Sequence, residues 1–200
     1  NGEWDHLNPV IHSAPDSYVP KRLRKYDSLS PNVTNAVNDD YVQLGGPWIV
    51  TFDNFLSDQE ADRLIELGYE EEYTRSVEVG KLRFDGSYTS DINDGRTSKN
   101  AWCQYSCYRD PTSKNIMERI SNVTGVPEPN SEFMQLLKYE PGEYYRMHHD
   151  FIDYQRLRPC GPRILTFFLY LSDVEEGGGT LFNNLNITVQ PKRGRALLWP

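Results

Sequence analysis

The stretch Ile164-Leu-Thr-Phe-Phe-Leu-Tyr-Leu171 limits the fold of this 200-residue chain more than any other segment. A short, continuous apolar run of β-branched and aromatic residues is what a strand buried on both faces needs. The segments around it are also strand-like. Glu132–Tyr139 reads as a strand, Pro141-Gly142 as a turn, and Tyr144–Asp150 as the next strand. Glu175-Glu-Gly-Gly-Gly179 reads as a hairpin turn, because no lysine and hydroxyl follow its glycines as a phosphate loop requires. Ile187–Val189 and Arg195–Trp199 are short strands around Pro191–Gly194.

Helical signals come earlier in the chain. Pro47–Phe52 reads as a strand, and Ser57-Asp-Gln-Glu60 forms a capping box, with Leu56 and Ala61 placed as a hydrophobic staple. Ala61, Leu64, Ile65 and Leu67 then give an apolar helical face that ends near Gly68 or Tyr69. Residues 70–95 are charged and glycine-bearing, which suits strands joined by a long loop. A second helix opens at Asp110-Pro111, exposes one apolar face through Ile116, Ile120 and Val123, and stops at Gly125. Two helices followed by many short strands, without an internal repeat, predict an α+β fold: a double-stranded β-helix, or jelly-roll barrel, with flanking helices. Residues 1–45 are polar and poorly periodic, and are expected to be an irregular extension; residues 46–200 are the expected domain. The basic run Lys21–Lys25 is expected to be a solvated patch.

A 38% hydrophobic content supports a packed core, and a formal charge of -8 argues against nucleic acid as a partner. No apolar run is long enough to span a bilayer. Cys103 and Cys107 lie four residues apart, either as two unrelated thiols or as a short-loop disulfide. Zinc binding by this pair is not expected, since no second Cys/His pair has matching spacing. The sequons at Asn32, Asn122 and Asn186 favour a glycoprotein of the secretory pathway, with the endoplasmic reticulum or Golgi lumen as the expected location.

The chemistry centres on His148-His149-Asp150. On a strand, residues i and i+2 share a face, so His148 and Asp150 can aim at one point while His149 points away. An imidazole and a carboxylate so placed are two corners of a two-His-one-carboxylate iron(II) site. The bland alternative is a surface strand with a solvated His and Asp.

The flanking residues bear on that choice. Met134-Gln-Leu-Leu-Lys-Tyr139-Glu-Pro-Gly142-Glu-Tyr-Tyr145-Arg-Met-His148-His-Asp150 resembles the prolyl 4-hydroxylase family of iron(II)/2-oxoglutarate dioxygenases. Downstream Gly161–Thr180 and Val189–Trp199, and upstream Gly95-Arg96-Thr97-Ser98, are similar to further segments of that family, in the same order. The resemblance covers about residues 46–200 and implies hydroxylation of peptidyl proline at C4 with O2 and 2-oxoglutarate, releasing succinate and CO2. It implies iron(II) on His148 and Asp150, with Tyr139 and Thr166 lining the 2-oxoglutarate pocket and Tyr170 helping to hold the distal carboxylate. Tyr145, Arg163 and Arg96 fall near the substrate groove, for which a proline-rich peptide is the expected partner and L-ascorbate (vitamin C) an expected cofactor. Core packing remains the other reading of the tyrosines, and a surface ion pair the other reading of Arg163. The histidines are His6, His12, His148 and His149, so the family's second His ligand and its later Lys or Arg are missing. The expectation is therefore a fragment that binds iron weakly and is inactive alone. Two alternatives stand beside the hydroxylase: a same-fold dioxygenase with another substrate, and a non-catalytic jelly-roll binding module.

Overall fold

The computed structural model describes residue 7 and residues 9–15, 43–82, 88–92, 94–152, 155–156 and 161–200. The Lys21–Lys25 cluster, Asn32, His6 and Cys160 lie outside the described residues. In chain order the strands and helices are β1 (Pro9–Ala14), β2 (Gln43–Leu44), β3 (Ile49–Phe52), α1 (Asp58–Glu70), β4 (Thr74–Arg75), β5 (Glu78–Leu82), β6 (Tyr88–Asp91), β7 (Lys99–Trp102), α2 (Tyr105–Arg109), α3 (Pro111–Thr124), β8 (Gln135–Lys138), β9 (Thr166–Leu169), β10 (Thr180–Phe182), β11 (Ile187–Val189) and β12 (Ala196–Trp199).

Local chemistry sets the helix ends. Ser57 caps α1, its side chain accepting from the Glu60 amide while the Glu60 carboxylate accepts from the Ser57 amide. Asp110 caps α3 by accepting from the Thr112 amide, Pro111 occupies the first turn, and Gly125 ends the helix with φ 70°. Arg119 crosses between the helices, pairing with Glu60 at 2.7 Å.

Five strands form the main sheet in the order β2-β1-β3-β12-β9, and β4-β7-β8, β5-β6 and β10-β11 form smaller sheets. Alternation along the main sheet builds two cores. Val50, Phe52, Ala196, Phe167 and Leu169 face one way and meet Leu64 and Leu67 of α1, Ile116 of α3, Ala101 of β7 and Leu136 of β8. Ile49, Leu197, Phe168, Tyr170 and Trp199 face the other way and pack with Phe182, Ile187 and Val189 of the β10-β11 hairpin. Gly194 joins the layers. Its φ of 79° favours glycine, a Cβ there would lie 2.6 Å from the Leu56 carbonyl oxygen, and its amide donates to the Tyr170 carbonyl.

Four sequence expectations need correction. Residues 1–45 are not irregular throughout: Pro9–Ala14 pairs with β3, and Leu7, Ser13 and Ala14 are buried. The apolar run yields a strand only over Thr166–Leu169, half-buried because it forms the edge of the main sheet, and Ile164 before it is 69% exposed. The Glu175–Gly179 turn does not close a hairpin, because β9 pairs with β12 while β10 pairs with β11; the turn carries the chain from one sheet to the other. Tyr144–Asp150 is not a regular strand, and its only ladder contact among the described residues is the bridge between Tyr145 and Arg96.

Candidate active site

Although residues 144–150 form no regular strand, several contacts pin them in place. The Thr97 amide donates to the Tyr144 carbonyl at 2.9 Å, and the Arg146 amide donates to the Gly95 carbonyl at 2.8 Å. The Thr97 hydroxyl accepts from the Tyr144 amide at 2.7 Å. On the other side, Asn183 Nδ2 lies 3.1 Å from Met147 Sδ, linking the segment to the end of β10.

These fastenings bring His148 and Asp150 together, with His148 Nε2 3.3 Å from Asp150 Oδ1. The remaining polar atom of each side chain is held separately. His148 Nδ1 lies 2.7 Å from the Arg146 carbonyl, which can only accept, so Nδ1 carries a hydrogen and Nε2 is the nitrogen turned toward Asp150. Asp150 Oδ2 accepts from the Thr166 hydroxyl at 2.6 Å, leaving Oδ1 to face Nε2. Burial pushes the His148 pKa down, but its bonds to Asp150 and to the Arg146 carbonyl outweigh this and hold it above the usual value. Burial pushes the Asp150 carboxyl up, but the bonds from His148 and Thr166 outweigh this and hold it below the usual range. The result is a paired donor set of one nitrogen and one oxygen, each ligand oriented by a second partner. This suits two corners of a site for a borderline divalent cation such as iron(II). Among the described residues no third His, Cys, Asp or Glu joins them.

Around this pair the other candidate residues separate into layers. Tyr145 stacks on the His148 imidazole with ring centroids 3.5 Å apart, and the Arg96 guanidinium lies 4.6 Å from the Tyr145 ring. Arg96 is buried and donates to Ser98 Oγ and Gln135 Oε1. Arg163 makes a two-pronged pair with Glu132, at 2.7 and 3.1 Å, and Gln155 Nε2 donates to the same carboxylate. The ion-pair reading of Arg163 therefore describes its geometry, and the charge of Arg163 also reaches Asp150. Thr166 and Tyr170 share the inner face of β9 with Phe168. Tyr170 lies deeper, its hydroxyl 2.7 Å from Thr180 Oγ1 and raised in pKa by burial. Tyr139 is exposed just beyond β8, continuing the face of Gln135 and Leu137. His12, far from this group, bonds to Thr51 Oγ1 at 3.0 Å. Cys103 and Cys107 are joined in a disulfide, Cα atoms 4.9 Å apart.

Sequence reasoning assigned Thr166 a pocket-lining place but not the bond that holds Asp150. It missed Glu132, Gln135 and Gln155, whose roles depend on distant partners that no local spacing displays.

Residues 134–200 match the model of the 2OG-Fe(II) oxygenase superfamily. This matched segment, which holds His148, Asp150 and Thr166, is similar to the superfamily. Probable prolyl 4-hydroxylase 10 of Arabidopsis thaliana is 34% identical over 82% of this chain and 62% of its own length. Prolyl 4-hydroxylase subunit alpha-1 of Rattus norvegicus is also 34% identical, over 76% of this chain and 28% of its own length. The chain thus spans less than two thirds of these relatives. Among solved structures, the 2OG complex of the viral collagen prolyl hydroxylase of Paramecium bursaria Chlorella virus-1 superimposes with a TM-score of 0.55, covering 77% of this chain and 78% of that one at 25% identity. The α+β jelly-roll architecture predicted from the order of helices and strands is that of this structural neighbour, and the resemblance carried by the motifs extends to a relative aligned over 82% of the chain.

Proposed function

We propose that the protein is a prolyl 4-hydroxylase-like dioxygenase that hydroxylates peptidyl proline. The observation that carries this reading is the convergence of His148 Nε2 and Asp150 Oδ1, each ligand oriented through its other polar atom. When bound, iron(II) with 2-oxoglutarate and O2 supplies the oxidant for an unactivated C–H bond, and succinate and CO2 are released. His148 and Asp150 hold the metal. The Thr166 hydroxyl fixes the Asp150 carboxylate, and with Tyr139 and Tyr170 it lines the cosubstrate pocket. Tyr145, Arg96 and Arg163 border the peptide, with Arg163 set by Glu132 and Gln155. A proline-rich peptide suits this border because its polyproline II form is extended before it binds. L-ascorbate is the expected reductant. The Cys103–Cys107 disulfide and the exposed sequon residues Asn122 and Asn186 support a lumenal location in the secretory pathway.

The test uses the full protein that carries this chain, with Fe(II), 2-oxoglutarate, O2, ascorbate and a proline-rich peptide. Hydroxyproline in the peptide, matched by succinate and lost in His148→Ala, is the expected result. Succinate release with no change in any proline peptide would replace this reading with a same-fold dioxygenase for another substrate. No succinate and no metal-dependent turnover would replace it with a binding module.

A further inference from the structure

Met147 immediately precedes His148 and is 80% exposed, whereas Met117 is 6% exposed and Met134 packs half-buried against the main core. A thioether this open meets a dissolved oxidant before the other two do. Its sulfur is also engaged. Asn183 Nδ2 donates to it at 3.1 Å, and this contact fastens the irregular 144–150 segment on the β10 side. The sulfur is thus open to solvent and at the same time a holding point beside the His148–Asp150 pair.

The covalent frame carries a movement of Met147 to His148. The carbonyl that accepts from His148 Nδ1, at 2.7 Å, belongs to Arg146. It lies in one peptide plane with the Met147 amide nitrogen and Cα, so displacing Met147 tilts it. The Arg146 amide, one plane earlier, is held by the Gly95 carbonyl at 2.8 Å, so the tilt enters from the Met147 end. A tilted carbonyl turns the imidazole whose Nε2 stands 3.3 Å from Asp150 Oδ1.

We propose that Met147 is a redox-modification site: hydrogen peroxide converts its thioether to the sulfoxide, and the sulfoxide loosens the His148–Asp150 pair. What this does to metal affinity rests on the function proposed above. In the step, a sulfur lone pair attacks one peroxide oxygen. The O–O bond breaks as the S–O bond forms, and the other oxygen leaves as water with both protons. Sulfur gives up two electrons and the peroxide takes them. The product is polar, and its oxygen is a far better acceptor than a thioether sulfur. That oxygen now stands between the sulfur and Asn183, so the link to β10 survives only with the sulfur pushed back by an S–O bond length.

The test treats the metal-free full protein that carries this chain with hydrogen peroxide, beside Met147→Leu, which keeps an apolar side chain without the sulfur. Peptide mass spectrometry is expected to show Met147 gaining one oxygen at least about tenfold faster than Met134 and Met117. The His148 imidazole signals in two-dimensional NMR, assigned with His148→Ala, should shift on oxidation. Mn(II) affinity should fall about three- to tenfold, at or below the loss caused by removing a ligand's direct partner. Methionine sulfoxide reductases should restore both, and Met147→Leu should show neither change on treatment. Equal oxidation rates for the three methionines, an unmoved imidazole in the Met147 sulfoxide, or the same loss in Met147→Leu would overturn the proposal. The outcomes also separate it from the function it touches. A parent that binds no Mn(II) removes the metal reading, while the oxidation rates and imidazole signals still decide the Met147 site. Metal binding and proline hydroxylation with equal oxidation rates do the reverse.

Discussion

Replacing Thr166 by valine tests the chemistry of the site most directly, because the sequence and the structure give this residue different jobs. In the structure its hydroxyl donates to Asp150 Oδ2 at 2.6 Å. A hydrogen bond to an ionised group contributes about 1.5–3 kcal/mol. The Asp150 side chain keeps 27% of its exposure, so solvent replaces part of the lost bond and the lower end, about 1.5–2 kcal/mol, applies. If that energy goes into orienting a metal ligand, affinity falls by roughly 10–30-fold, within the range seen when a ligand's supporting partner is removed. The assay is titration with Mn(II), a redox-stable stand-in for iron(II), without 2-oxoglutarate. Thr166→Val should weaken binding by that factor, and Thr166→Ser, which keeps the hydroxyl, should recover most of it. A residue that only lines the cosubstrate pocket would leave cosubstrate-free metal binding unchanged. Parent-like Mn(II) affinity in a folded Thr166→Val protein would refute the orienting role.

Further tests concern the frame around the site. Asp53 accepts from Arg195 at 2.6 Å and from Lys192 at 2.7 Å, and these bonds, that from Arg195 foremost, hold its carboxyl below the usual value despite burial. A depressed native pKa stabilises above the unfolded value, so Asp53→Asn should cost about 1 kcal/mol above pH 4; the difference in melting temperature from the parent should shrink as pH falls below about 3.8. Cys107→Ser opens the short Cys103–Cys107 loop, and chain entropy alone predicts a loss of about 2 kcal/mol, or about 4–8 °C in a thermal melt. Gly194→Ala places a methyl group 2.6 Å from the Leu56 carbonyl oxygen at a φ of 79°, and should lower stability by about 2 kcal/mol or more in urea unfolding.

The helices were legible because their signals are local. The Ser57–Glu60 box, the Asp110-Pro111 start and the Gly125 stop each lie within one turn of the element they define. The centres of β3, β8, β11 and β12 were legible from alternation and β-branching for the same reason. Strand partners were not. Nothing near Glu175–Gly179 states that β9 pairs with β12 across a two-stranded insertion, because register depends on side chains brought together from distant parts of the chain. The β1 strand escaped notice because Pro9-Val-Ile-His-Ser-Ala14 sits in polar surroundings and gains its regularity only from β3.

The His148–Asp150 pair shows where local periodicity stops being a guide. Strand alternation gave the right convergence for His148 and Asp150, yet the segment carries only one ladder bridge among the described residues. Convergence is supplied from outside: the 95–97 loop holds Tyr144 and Arg146, Asn183 holds Met147, and Thr166 holds Asp150. An irregular backbone lets each ligand keep one polar atom on a supporting partner while the other faces its neighbour. A regular ladder would instead engage the backbone carbonyls in strand pairing, including that of Arg146, which here orients His148. The precision of the site is therefore tertiary, so substitutions in the 95–97 loop or in β9 should shift the His148–Asp150 geometry although neither supplies a member of the pair.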